Sequence, residues 1–100
     1  MDLNGYGNRI TWDGHTLTME GTNRMAQTAL RGSEHADGPV RLEVGQVSGV
    51  ELREASRLTN GRVTVTDTSG RSYVLHFRRK DSAPFAQLAA QLGAAAGVRQ

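Results

Sequence analysis

Three consecutive cations, Arg78-Arg79-Lys80, are the residues of this 100-residue chain whose type and spacing point most directly to chemistry. Adjacent cations attract phosphate or an anionic membrane surface, each contributing about 1 kcal/mol near an anionic leaflet. They are the candidate ligand- or partner-contacting residues. The nearest other cation on that segment, Arg71, lies about 26 Å from Arg79 along an extended strand, too far to share a patch. Three such charges also fit an ordinary solvated strand end paired with acidic loops.

Other chemistries find less support. His15, His35 and His76 fall in a turn, a polar loop and an outward strand position, and no two have metal-ligand spacing. Structural zinc wants about four closely arranged ligands, and the chain has no cysteine, so no metal site is expected. His35 beside Glu34 and Asp37 could attract a stray divalent ion without that being a function. No G-x-S-x-G elbow occurs, and Ser48, Ser56, Ser69, Ser72 and Ser82 all have turn, cap or surface explanations. Gly5-Tyr6-Gly7 precedes a strand instead of opening a helix, so it lacks the amide cradle of a phosphate loop. Glu51 and Glu54 lie on opposite faces of a regular strand. The expectation is a protein that is not an enzyme, with no catalytic residue and no cofactor.

Charge narrows the partners further. Twelve basic residues against ten acidic ones leave a net charge of +2, too little for a general nucleic-acid binder. The first forty residues are net acidic, whereas from Arg71 onward Arg71, Arg78, Arg79, Lys80 and Arg99 face only Asp81. With five aromatics, most of them inward, there is no stacking platform for bases, and nucleic acid is not an expected partner. The N-terminus reads as neither a signal peptide nor a membrane span, and the absence of cysteine excludes disulfides and thiolate catalysis. A cytoplasmic protein is expected. Eleven of the twelve basic residues are Arg, which suggests a GC-rich genome.

The elements that must position these residues follow from periodicity. Arg9 to Asp13 and His15 to Glu20 alternate, with Ile10, Trp12, Leu17 and Met19 on one face, and Asp13-Gly14 between them predicts a type I′ hairpin. Thr22 to Gly32 reads as a loop with one helical turn, and Ser33 to Pro39 as an exposed, mobile connection. Val40, Leu42 and Val44 mark a third strand, and Val50 and Leu52 a fourth after the turn around Gly45 to Gly49. Arg62 to Asp67 and Arg71 to Arg79 form a hairpin whose register is derivable. A three-residue loop Thr68-Ser69-Gly70, with Gly70 left-handed, pairs Asp67 with Arg71, Val65 with Tyr73 and Val63 with Leu75. A two-residue loop would put the large apolar side chains on opposite faces. From Ser82 as N-cap, with Pro84 in the first turn and Gly97 as the stop, the last segment is a helix with Phe85, Leu88 and Leu92 on one stripe.

The fold class is therefore α+β, mostly β. The expected architecture is one domain: a bent antiparallel sheet or partly open barrel of six to seven strands at about 9–79, capped by one C-terminal helix at about 82–96. The predicted core is Ile10, Trp12, Leu17, Val40, Leu42, Val50, Val63, Val65, Tyr73, Leu75, Phe77, Phe85, Leu88 and Leu92.

Trp12-Asp13-Gly14, Val47-Ser48-Gly49-Val50, Asn60-Gly61-Arg62-Val63, Phe77-Arg78-Arg79 and the Phe85/Leu88/Leu92 helix together resemble a bacterial pleckstrin-homology-like family of unknown function, found in GC-rich bacteria and their phages. The resemblance implies a seven-stranded bent barrel capped by a helix, and it carries over no catalytic residue. Two features depart from it: Ser33 to Pro39 looks like a polar insertion, and the usual further C-terminal segment is missing. The expected function is non-enzymatic binding of protein, including a second copy of the chain as a homo-oligomer, in a groove between the helix and an edge strand. The alternative is an anionic lipid or phosphate ligand at Arg78, Arg79 and Lys80.

Overall fold

The computed structural model describes residues 1–21 and 40–97. Among these residues, seven strands form two antiparallel sheets. The first contains β1 (Asp2–Asn4), β2 (Asn8–Trp12), β3 (Thr16–Gly21) and β4 (Val40–Glu43) in sequence order. The second contains β5 (Val47–Arg53), β6 (Gly61–Asp67) and β7 (Ser72–Phe77), also in sequence order. Helix α1 (Ser82–Ala96) follows β7 after a 3₁₀ turn. No helix among the described residues is long and apolar enough to cross a membrane. The readings of Thr22 to Gly32 and Ser33 to Pro39 lie outside the described residues.

Alternation decides which side of each strand is buried. On β2 the buried residues are Asn8, Ile10 and Trp12, and on β6 they are Gly61, Val63, Val65 and Asp67. All fourteen predicted core residues are buried, joined by Met19, Val47 and Ala89, and they form one cluster spanning both sheets and the helix. The sheets also meet through backbone. Tyr6 N–H, in the turn between β1 and β2, donates to His76 O on β7 at 2.8 Å, but among the described residues the barrel does not close.

The first hairpin turns differently from the sequence expectation. Its register pairs Trp12 with Leu17 and Ile10 with Met19, so the central residues are Gly14 and His15 instead of Asp13 and Gly14. Gly14 alone has positive φ, at 97°, which is the requirement of a type II′ turn, whereas type I′ needs positive φ at both centres. Asp13 instead acts through its side chain. Its Oδ1 accepts from Thr16 N–H at 2.7 Å and His15 N–H at 2.8 Å, and these bonds lower its carboxyl pKa.

Further boundaries move. β5 begins at Val47, inside the stretch Gly45 to Gly49 expected to turn, and β7 ends at Phe77 instead of Arg79. β1 was not predicted, because three residues with one apolar side chain carry no readable alternation. Val44 does not continue β4 but opens a 3₁₀ turn, Val44–Gln46, which Gln46 Oε1 holds by accepting from Glu43 N–H at 2.9 Å. Ser82 is the first residue of α1 and not its cap. A 3₁₀ turn at Arg79–Asp81 leads directly into the helix and leaves Asp81 at the N-cap position.

The β6–β7 hairpin has the predicted register. Val65 lies opposite Tyr73 and Val63 opposite Leu75, and Gly70 takes φ 90°.

Candidate functional site

Helix α1 buries Phe85, Leu88, Ala89, Leu92 and Gly93, and packs mainly on β5 and the 3₁₀ turn before it. Its first turn is fixed by a ring contact. Phe85 stacks on Phe77 at the end of β7, with centroids 4.8 Å apart and planes 18° from parallel. Between that first turn and the end of β5 a groove of about 430 Å³ remains. Leu52, Glu54 and Ala55 form one wall, Ser82, Ala83 and Ala86 the other, with Phe77 and Arg79 completing the lining. β5 is an edge strand, hydrogen-bonded on the β6 side alone among the described residues.

The loop from β5 to β6 is pinned by its own side chains. Ser56 N–H donates to Thr59 O at 2.9 Å, and Ser56 Oγ accepts from Leu58 N–H at 3.3 Å and Thr59 N–H at 3.1 Å. The turn displays Leu58 at 95% exposure, so a large apolar side chain stands in solvent on an ordered turn next to the groove wall.

The basic triplet follows the end of β7 at Phe77 and runs into the 3₁₀ turn. Arg78 is extended (φ −84°, ψ 159°), and its guanidinium lies over the exposed Tyr6 ring, 4.9 Å from the centroid. Arg79 turns to the other side and lines the groove, and Lys80 is exposed in the 3₁₀ turn. All three side chains are exposed. A different grouping arises from register. Arg53 pairs with Arg62 across β5 and β6, and Arg62 with His76 across β6 and β7, all three outward from the core. Arg53 and Arg62 had not been singled out in the sequence, because they come together only once both strand pairings are fixed.

The remaining candidates have structural work. Ser48 Oγ donates to Asp67 O at 2.8 Å across the bulge in β5. Ser72 Oγ shares a hydrogen bond with Thr66 Oγ1 at 3.2 Å. Gly5 N–H donates to Asn8 O at 2.8 Å, so the Gly5-Tyr6-Gly7 stretch is a turn between β1 and β2. Asn8, buried on the core face of β2, donates from Nδ2 to His76 O at 3.2 Å and to Tyr6 O at 3.1 Å, joining that turn to β7. His15 and His76 are far apart in the fold, on different sheets, while His35, Glu34 and Asp37 lie outside the described residues. No group of three or more metal-ligating side chains occurs among the described residues.

Asp67, the second buried polar residue, organises the β6–β7 turn. Its Oδ1 accepts from Ser69 Oγ at 2.6 Å, Ser69 N–H at 2.9 Å and Arg71 N–H at 3.0 Å, and its Oδ2 from Tyr73 Oη at 3.2 Å. The Ser69 hydroxyl, the two backbone donors and Tyr73 outweigh desolvation and hold the carboxyl below the ordinary aspartate value. A folded pKa below the unfolded one contributes stability above the unfolded value and loses it as pH falls through the folded value. Asp67→Asn should therefore cost about 1–3 kcal/mol at neutral pH. Urea titrations of both proteins should show that difference shrinking below about pH 4. A constant difference from pH 7 to pH 3 would remove the carboxylate from the account.

Comparison of the chain with protein-family models, with curated proteins and with solved structures gives no match.

Proposed function

We propose that the chain is a non-enzymatic binding module of pleckstrin-homology-like plan whose working surface is the β5–α1 groove, and that it takes protein there, in the first instance a second copy of itself. What supports the plan is the element order among the described residues: four strands in one sheet, three in the next, then a helix packed against the strands. The groove beside the edge strand carries the function. An edge strand presents unpaired backbone donors and acceptors that an added strand satisfies, and an adjoining apolar pocket takes a side chain from the incoming chain. Leu58 supplies such a side chain. It stands on a turn a few residues from the groove wall, so two copies related by a twofold axis can exchange anchors, each Leu58 reaching the other's pocket.

Ala86→Arg places a long cation in the helix wall of the groove, and Leu58→Asp removes the anchor. Light scattering over a concentration series should give a dimer for the wild-type chain that persists in high salt, and a monomer for both variants with unchanged circular dichroism. A wild-type monomer at all concentrations, or dimers for both variants, would refute the self-association reading.

A further inference from the structure

We infer that the outward end of the β5–β6–β7 sheet is a binding site for a phosphate monoester, held by Arg53, Arg62 and Arg78 with His76 beside them. It is independent of the β5–α1 groove, because these side chains leave the opposite side of their strands.

The observation that carries it is the direct pairing of two arginines. Arg53 and Arg62 occupy facing positions on neighbouring strands, and such positions put Cβ atoms roughly 4.5–5.5 Å apart. Like charges so placed destabilise a sheet. Both side chains are exposed, and neither has an ion pair with a carboxylate among the described residues. Glu51, the nearest acidic side chain on this face, lies one row back opposite Thr64. The repulsion is relieved when an anion sits between the two guanidinium groups. Their planar forks match phosphate oxygens in bidentate geometry, which a lysine pair would not do.

The rest of the row fits the same ligand. His76 lies opposite Arg62 and brings a ring N–H to the row. Arg78, two residues further along the same chain and about 7 Å away, has the same outward parity. Its stacking on Tyr6 restricts the side chain before any ligand arrives while leaving the guanidinium edge free to donate. Three guanidinium groups on one end of a sheet favour a doubly charged group over a carboxylate. The flat, outward setting admits either a soluble phosphate ester or a lipid headgroup carrying one.

The test uses two phosphate monoesters at low and physiological salt: glycerol 3-phosphate by calorimetry, and phosphatidylcholine vesicles containing phosphatidic acid by sedimentation. The variant is Arg53→Gln/Arg62→Gln. The control, Arg9→Gln/Arg41→Gln, removes the same charge from exposed positions on the other sheet. The wild-type chain should bind at least one probe, and the variant should lose about tenfold or more in affinity while the control stays within about twofold. Binding of glycerol 3-phosphate assigns a soluble ligand, and binding of vesicles alone assigns a headgroup. Without ligand, the variant should melt at or above the wild-type temperature, since it loses a repulsion, which separates lost binding from lost folding. Equal losses in variant and control, or no binding of either probe, would overturn the site.

Discussion

Phe85→Ala should be the most destabilising single substitution considered, at about 3–5 kcal/mol, with a fall in Tm of about 15 °C or more. Phe85 is fully buried, and its ring lies parallel to Phe77 at the junction of β7 and α1. Truncation removes the transfer free energy of a large aromatic, the stacking contact and the anchor of the helix's first turn together. The loss should also loosen the groove, whose helix wall begins with Ser82 and Ala83 in that turn. Thermal unfolding followed by circular dichroism would measure it. Stability near that of the wild-type chain would mean that the helix does not seal the core.

Gly61→Ala is expected to cost about 3 kcal/mol, at the upper end for an overpacked position. A Cβ at this site would run into Cζ and Cε2 of the Phe77 ring and come within 2.8 Å of the Ala55 backbone nitrogen. The ring cannot swing aside, since Phe85 is stacked on it. Phe77→Leu in the same chain shortens the side chain at the point of collision. The double variant should therefore be more stable than the sum of the two single effects predicts, by about 1 kcal/mol or more. Additive effects in denaturant titrations would contradict the packing described.

The division between what the sequence revealed and what it did not follows the range of the interactions. Alternation gave the buried faces of β2, β3, β6 and β7, because a two-residue period is a local property of each segment. The β6–β7 register was derivable for the same reason: of a two- and a three-residue loop, only the latter puts Val63, Val65, Tyr73 and Leu75 on a common side. The Asp13 turn was misread by one residue because Asp13 works through its carboxylate, satisfying the His15 and Thr16 amides, and leaves the positive φ to Gly14 alone. A carboxylate before a glycine signals both arrangements.

The sites were less legible than the strands. Arg78, Arg79 and Lys80 stand out as neighbours in sequence, but the 3₁₀ turn that begins at Arg79 gives them different contacts, Arg78 with Tyr6 and Arg79 with the groove. Arg53 and Arg62 are nine positions apart and meet across a strand pair, which no local pattern announces. Asn8 carried a readable signal that went unused. It sits in phase with Ile10 and Trp12, and an amide on an apolar face implies a buried partner, here the His76 carbonyl. A groove between the helix and an edge strand follows from the fold plan, but the residues that line it leave no mark in the sequence, because alanines along a helix read as helix formers wherever they point.

The most direct test of strand addition at β5 is residue-resolved amide hydrogen exchange at rising protein concentration. Strand addition predicts that those amides of Val47–Arg53 that do not bond to β6 slow progressively as the second copy pairs, with the Leu58 turn slowing alongside. Amides of β1 and β4 on the other sheet should keep their rates. Concentration-dependent protection confined to β1 or β4, or rates along β5 that never change while the solution mass doubles, would contradict it and move the interface elsewhere.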